Sequence, residues 1–305
     1  MIETTRLDAP LVVGAGVAGL TVALGLPRVY VVTVAEMGST WWAQGGIAVA
    51  LSPDDSPRQH ADDTLSVSGG LGVEKVVDLL TGGGPGAVGN LIALGAEFDR
   101  DEKGELLLAR EGGHQTRRVL HADGDATGAE VMRALIAAVE AAESVTMIQR
   151  RVIDLVMAGD RVAGVVTGQG KHREVLLAPA VVLATGGAGR LFSHTTNPSG
   201  VTGDGIAMAG RVGARLADLE FVQFHPTALH VGKDPMPCSP KPSGARGRSW
   251  STPTAAASCL SITQWPSSLP ETSWPGPSSG SMTVVSAAHI STPDRSSTSP
   301  IDSPP

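Results

Sequence analysis

The chain has few aromatic residues, few cysteines and no long apolar run. Phe, Trp and Tyr make up only 3% of its 305 residues, and the two cysteines are Cys238 and Cys259. Two cysteines form neither a disulfide framework nor a zinc-binding pattern, so we expect no metal site and a reducing, cytoplasmic location. No stretch of about 18 apolar residues is present. The N-terminus carries acidic residues and leads directly into a strand pattern, so we expect neither a signal peptide nor a membrane segment.

Positive charge is also scarce. The formal net charge is −7, and the basic residues form no cluster, so we expect no binding to nucleic acid. The apolar content of 42% and the length suit a globular α/β protein with a buried core. Glycine, by contrast, is abundant at 38 residues, which suits tight turns against a phosphate-bearing cofactor.

The composition changes sharply near Pro235. Of the 70 residues from Met236 to Pro305, 30 are Ser or Pro. Proline at this density disrupts helices and central strands, while the low charge of the segment is untypical of solvated disordered regions. We therefore predict that residues 236–305 form a disordered or non-native tail.

Hydrophobic periodicity predicts a βαβ unit at the start of the chain. A short apolar strand at Leu11–Val13 leads into a glycine-rich turn, a helix over 20–26 and a second strand at Val29–Val34. Further elements are predicted at these positions: a helix over 73–95 that is interrupted by TGGGPG at 81–86, a helix over 125–142, a β-meander over 146–156 and 161–167, a strand over 175–183 and a helix over 203–214. Together they predict an α/β, Rossmann-like fold with a parallel sheet and a β-meander.

The turn after the first strand has the spacing of a dinucleotide-binding site. It reads Gly14-Ala15-Gly16-Val17-Ala18-Gly19, and its glycines let backbone N–H groups approach a pyrophosphate at a helix N-terminus. Glu36 ends the second strand, where a carboxylate can accept a hydrogen bond from an adenosine ribose. This pattern predicts a dinucleotide site but does not distinguish FAD from NAD.

Three further segments carry a family resemblance. They are Ser39-Thr40-Trp41-Trp42-Ala43-Gln44-Gly45-Gly46, the turn Ala184-Thr185-Gly186-Gly187, and Gly203-Asp204-Gly205. In this order the chain resembles the succinate dehydrogenase/fumarate reductase/L-aspartate oxidase flavoprotein family over about residues 9–234. The resemblance implies FAD, with small residues against the flavin and with Asp204 accepting a hydrogen bond from its ribityl chain. Covalently flavinylated members carry histidine at the position of Ser39, so the resemblance implies non-covalent FAD.

Two more segments resemble substrate-binding parts of the family. Arg110-Glu111-Gly112-Gly113-His114 is similar to the L-aspartate oxidase branch, whereas the dicarboxylate dehydrogenases have a neutral residue at the position of Glu111. A carboxylate there would recognise a substrate ammonium, which succinate lacks. By resemblance, His225 would hydrogen-bond a substrate carboxylate near the flavin. His114 would support the residues that contact the substrate. The other histidines, among them His60, His121 and His172, receive no role.

The resemblance implies oxidation of L-aspartate to iminoaspartate, with O2 or fumarate reoxidising the flavin. The product would feed quinolinate and NAD biosynthesis, with quinolinate synthase as pathway partner. Two alternatives are a soluble fumarate reductase or succinate dehydrogenase-type flavoprotein, and a non-catalytic remnant. On this interpretation residues 1–222 are the N-terminal segment of the FAD-binding domain, and residues 223–235 begin a capping domain.

The tail suggests a lost reading frame. Family members carry a proton-transfer arginine in a segment resembling LAPRDVVAR, which this chain lacks. Back-translation of Ile262–Gly276, read one nucleotide out of register, permits such a segment. We therefore hypothesise a frameshift at about residues 231–238, and we expect the chain to be inactive as it stands.

Overall fold

The computed structural model describes residues 2–34, 38–223, 228–229 and 231–238. The strands are Glu3–Arg6 (β1), Leu11–Val13 (β2), Val29–Thr33 (β3), Ile47–Ala48 (β4), Leu108–Ala109 (β5), Val119–Leu120 (β6), Val145–Gln149 (β7), Arg151–Ala158 (β8), Arg161–Gln169 (β9), His172–Leu177 (β10) and Val181–Leu183 (β11). The α-helices are Val17–Leu24 (α1), Pro57–Val67 (α2), Glu74–Ala93 (α3), Thr127–Ala141 (α4) and Asp204–Arg211 (α5), and two short 3-10 helices span Ser39–Trp42 and Gly189–Leu191.

A four-stranded parallel sheet forms the centre of the described fold. Its order is β11-β2-β3-β7, and every neighbouring pair is parallel. Its central strands are short β-branched runs, and Val12, Val29 and Val31 are fully buried, as strands covered on both faces require. The predicted Rossmann-like α/β fold with a parallel sheet is confirmed.

A second sheet carries the β-meander and corrects two strand boundaries. Its order is β1-β10-β9-β8, with β8, β9 and β10 antiparallel. The strand predicted over 146–156 is two strands, because the chain leaves the parallel sheet at Arg150 and enters the meander. The strand predicted over 175–183 also divides: Pro179, which cannot donate a backbone hydrogen bond, lies between β10 and β11.

The predicted interruption of the helix over 73–95 is wrong. α3 is continuous from Glu74 to Ala93 and includes Pro85 within it. Its buried residues Val77, Thr81 and Val88 lie on one face, and packing of that face outweighs the poor helix propensity of the TGGGPG segment. The other predicted helices exist with shifted ends, since α1 begins at Val17 rather than at residue 20.

The largest core cluster is built around α4. Buried side chains of this helix, including Val131, Met132 and Leu135, pack against Leu20 of α1 and Leu120 of β6. α4 therefore fixes α1 and the small sheet β4-β6-β5 relative to one another. In the described part of the chain no helix is both long and apolar enough to cross a bilayer.

Candidate cofactor and substrate site

Two glycine-rich turns meet at the carboxyl edge of the parallel sheet. Gly14 directly follows β2 and its N–H donates to Val32 O at 2.9 Å, while Ala184 directly follows β11 and donates to Val13 O at 2.8 Å. Because neighbouring parallel strands end at the same edge, the 14–19 turn and the turn at 184–187 lie side by side. This edge is where open α/β sheets bind their ligands.

Each glycine of the 14–19 turn has a different environment. Gly14 has a φ of +106°, and a Cβ there would lie 2.3 Å from Ala184 O; a Cβ at Gly19 would lie 1.9 Å from Gly14 O. Both glycines are therefore required for close backbone packing. A Cβ at Gly16 would meet only Thr40 Oγ1, at 3.6 Å, so the space before the N-terminus of α1 is open. Open space beside backbone N–H groups at a helix N-terminus fits a pyrophosphate.

The predicted cofactor segment 39–46 lies beside this opening. Its 3-10 helix brings Thr40 to α1, where Val17 N donates to Thr40 Oγ1 at 3.4 Å. From the other side Gly128 N donates to Ala43 O at 2.9 Å. A Cβ at Gly128 would lie 1.9 Å from Thr40 O, so only glycine permits this approach. The sequence interpretation gave Gly128 no role, although its place at the start of an amphipathic helix was a usable signal.

Asp204 lies with the turn that follows β11. It begins α5 after Gly203, whose φ is +76° and whose N–H donates to Gly187 O at 3.1 Å. A Cβ at Gly205 would lie 1.8 Å from Thr185 Oγ1. The structure thus brings together the sequence-predicted residues Thr185, Gly186 and Asp204.

The Asp204 carboxylate has a protein partner that the sequence interpretation missed. Arg151 Nη2, at the start of β8, donates to Asp204 Oδ2 at 2.7 Å, and this hydrogen bond lowers the pKa of Asp204. The carboxylate is therefore ionised at neutral pH and can act as a hydrogen-bond acceptor. Its contact with a ribityl chain stays a prediction. No sequence pattern marked Arg151, since it lies 53 residues before Asp204.

The predicted substrate segment is the connection between two strands of the small sheet. β5 and β6 are antiparallel and flank residues 110–118, and β4 pairs with β6 on the other side. A Cβ at Gly46 would lie 2.3 Å from Leu120 O and 2.9 Å from His121 Cε1. The end of the cofactor segment is therefore packed directly against the residues that follow the substrate segment.

Glu111 lies near a second histidine in this region. Its Oε1 is 3.6 Å from His121 Nε2, and the Glu111 side chain is only 14% exposed. His114 N donates to Glu111 O at 3.3 Å, which closes a turn between the two residues. Burial, followed by the charge of Arg118, lowers the pKa of His114, so its imidazole is neutral at neutral pH. The sequence interpretation left His121 without a role.

Two predicted site residues lie outside the described residues. They are Glu36, expected at the adenosine ribose, and His225, expected at a substrate carboxylate. Both assignments stay predictions. Within the described residues no group of three or more His, Cys, Asp or Glu side chains is arranged to hold a metal ion.

The parallel sheet, the glycine turn at its carboxyl edge and the opening beside Gly16 are together those of a dinucleotide-binding protein. The model of the family described as FAD binding domain matches residues 10–239, and the chain belongs to this family. Its cofactor is FAD.

Curated relatives of this chain are L-aspartate oxidases. The enzyme of Streptomyces coelicolor is 55% identical over 237 residues, which cover 73% of this chain and 41% of that protein. The enzyme of Caulobacter vibrioides is 44% identical over 242 residues, covering 75% and 47%. The chain thus spans less than half the length of these relatives.

Solved structures with this fold belong to related flavoproteins. Quinol fumarate reductase of E. coli is 31% identical with a TM-score of 0.71, and the match covers 75% of this chain and 41% of that chain. Sdh1 of Mycobacterium smegmatis is 31% identical with a TM-score of 0.70, covering 75% and 42%.

Proposed function

We propose that the chain derives from an L-aspartate oxidase, which oxidises L-aspartate to iminoaspartate with non-covalent FAD. The observation that carries this proposal is Glu111, a largely buried carboxylate in the segment that connects β5 and β6. The identity to L-aspartate oxidases supports the same substrate. FAD supplies a two-electron acceptor when bound, and O2 or fumarate would reoxidise it.

Glu111 would select the substrate by charge. Oxidation of an amine to an imine removes one hydrogen from Cα and one from nitrogen, and the substrate must first be held with its Cα toward the flavin. The Glu111 carboxylate would accept a hydrogen bond from the ammonium of L-aspartate. Because its side chain is mostly shielded from water, this charged hydrogen bond would be stronger than one on the surface. His225 would bind a carboxylate of the same substrate.

The proposal extends to the non-covalent state of the flavin and to the pathway. Ser39 donates its hydroxyl to Asn197 Oδ1 at 3.3 Å, and a serine at this position would form no histidyl–flavin bond. Iminoaspartate would be consumed by quinolinate synthase in NAD biosynthesis, in the cytoplasm.

We further propose the domain limits and the loss of activity inferred from the sequence. Residues 1–222 would be the N-terminal segment of the FAD-binding domain, 223–235 the start of a capping domain, and 236–305 a frameshifted tail. The end of the family match at residue 239 supports this division. Without the proton-transfer arginine we expect the chain to bind substrate but not to oxidise it.

Substrate binding tests the proposal directly. The FAD-loaded chain is titrated with L-aspartate and with succinate while the flavin absorbance is recorded. We expect tighter binding of L-aspartate, loss of this preference in Glu111→Gln, and no anaerobic bleaching by either ligand. The matched control is Glu105→Gln, an exposed carboxylate in the preceding turn.

Two results would count against the proposal. Preference for succinate in the unmodified chain would favour the alternative, a fumarate reductase or succinate dehydrogenase-type flavoprotein, to which the solved structures give some support. Binding of neither ligand would favour a non-catalytic remnant.

A further inference from the structure

A fully buried arginine lies at the end of the substrate segment. Arg118 directly precedes β6 and is 0% exposed. Its Nε and Nη2 donate to the two carboxylate oxygens of Asp55 at 2.9 and 2.8 Å, and its Nη1 donates to Asp63 Oδ2 at 2.8 Å. A buried guanidinium is costly unless it is paired in good geometry, and here two buried carboxylates supply that pairing.

Asp63 also contacts the backbone of the substrate segment. Asp63 Oδ2 accepts both Arg118 Nη1 and the backbone N–H of Gln115, the latter at 2.9 Å. Asp63 is on α2, whereas Gln115 directly follows His114. One oxygen atom therefore fixes two points of the 110–118 segment to a helix.

The backbone of Arg118 fixes the other side of this segment. Arg118 N donates to Ala109 O at 3.0 Å, and Arg118 O accepts from Val49 N at 2.8 Å. The segment that contains Glu111 is thus tied at its base to β5 and to the chain after β4. Side chain and backbone of a single residue connect α2, the small sheet and the substrate segment.

Two neutral imidazoles fill the space beside the ion pairs. His60 of α2 and His114 pack edge to face, with ring centroids 5.5 Å apart, and His114 Nδ1 is 3.4 Å from Arg118 Nη1. The groups that surround this histidine pair are Arg118, Asp55, Asp63 and Glu111. Packing against His60 therefore holds His114, and with it the turn to Glu111, against α2.

From this geometry we propose that Arg118 is a positioning residue for substrate recognition. Held by Asp55 and Asp63, it fixes the turn from Glu111 to His114 in the orientation that would receive the substrate ammonium. Arg118 itself does not touch the substrate. The inference rests on the proposed function of Glu111 and adds the ion-pair cluster that orients the Glu111 side chain.

Amide hydrogen exchange tests the positioning. Asp63→Asn keeps the size of the side chain but removes the charge that faces Arg118, so exchange of the amides of residues 111–117 should accelerate about tenfold, equivalent to ~1.4 kcal/mol of local opening. Exchange in β2 and β3 should stay within about twofold. Asp62→Asn is the matched control, because Asp62 is the exposed neighbour on α2 that pairs with Arg58 at 2.8 Å.

Ligand selectivity gives the second readout. In Asp63→Asn and in Arg118→Lys, which keeps the charge but loses the bidentate geometry, the preference for L-aspartate over succinate should fall about tenfold. Succinate affinity should change less, because succinate has no ammonium for Glu111 to receive. A role in packing alone would weaken both ligands equally.

Several results would overturn the inference. They are an unprotected Gln115 amide in the unmodified chain, unchanged exchange of 111–117 in the variants, or equal acceleration throughout the fold. One outcome would separate the two proposals. If the unmodified chain shows no preference for L-aspartate, the proposed function fails. If exchange of residues 111–117 is nevertheless faster in Asp63→Asn and not in Asp62→Asn, the positioning by Arg118 stands.

Discussion

At the scale of single residues, the three glycines of the 14–19 turn differ in what surrounds them. Gly14 and Gly19 lie against backbone oxygens, whereas Gly16 faces open space. The sequence pattern predicted the turn but could not separate these roles, since the oxygen that contacts Gly14 belongs to Ala184, in a distant part of the chain. The structure assigns packing to the outer two glycines, whereas the middle one borders the open space in which we predict the pyrophosphate.

Gly16→Ala should separate folding from FAD binding. The added methyl group meets no protein atom closer than 3.6 Å, so the melting temperature should change little. The same methyl group would occupy the space of the pyrophosphate, so FAD affinity should fall at least about tenfold. Titration monitored by flavin fluorescence measures the affinity. Gly19→Ala is the contrasting variant, because its clash with Gly14 O should lower the melting temperature. An FAD affinity in Gly16→Ala equal to that of the unmodified chain would contradict this account.

His60 makes stability depend on pH. Burial, followed by the charge of Arg118, lowers the pKa of His60 to about 4 from the ordinary 6.5. The unfolded chain therefore binds more protons than the folded chain between these values, and the free energy of unfolding should fall as the pH decreases from about 6.5 toward about 4. Urea unfolding at several pH values measures this slope. His60→Gln should reduce it, whereas the exposed control His172→Gln should not; an unchanged slope in His60→Gln would contradict the role of His60.

At the scale of elements, local sequence patterns predicted the individual helices and strands better than they predicted how these elements are arranged in the sheets. The βαβ start was predictable because each of its elements is short and apolar, and because Gly14 and Gly25 directly follow the first strand and the helix. The division of 146–156 between two sheets was not predictable, since both strands show similar alternation. The Arg118 cluster was also not predictable from the sequence, because its two carboxylates lie 63 and 55 residues before Arg118.

Gly82→Ala and Gly83→Ala together should stabilise α3. Both glycines lie inside the helix, and a Cβ at either would meet nothing within 4 Å. Glycine within a helix costs about 0.5–1 kcal/mol relative to alanine, so the double variant should gain ~1–2 kcal/mol in free energy of unfolding. Chemical denaturation measures this gain. Gly95→Ala is the control, because Gly95 follows the helix with a φ of +91° and alanine there should destabilise; a loss of stability in the double variant would contradict a continuous α3.

At the scale of the whole molecule, the match to relatives and the change in composition coincide. The family match ends at residue 239, and the Ser/Pro-rich segment begins at Met236. Composition alone made this boundary visible from the sequence. The cofactor edge of the sheet lies before the boundary, together with Glu111 and its supporting cluster.

Sequencing of the gene across codons 231–238 tests the proposed frameshift. We expect that insertion or deletion of a nucleotide there restores a reading frame that encodes the LAPRDVVAR-like segment. Independent clones distinguish a sequencing error from a real change. The proposal would be contradicted if the gene sequence is confirmed as it stands and if neither of the other two reading frames encodes the LAPRDVVAR-like segment.

The central claim is that this chain carries the non-covalent FAD site of an L-aspartate oxidase-like flavoprotein, and release of its flavin tests this most directly. The chain is reconstituted with FAD, separated from excess by gel filtration and precipitated with acid, and the flavin is then quantified in the supernatant and the pellet. The account predicts stoichiometric flavin that is released intact as FAD. A chain that retains no flavin, or flavin that remains attached to the precipitated protein, would contradict it.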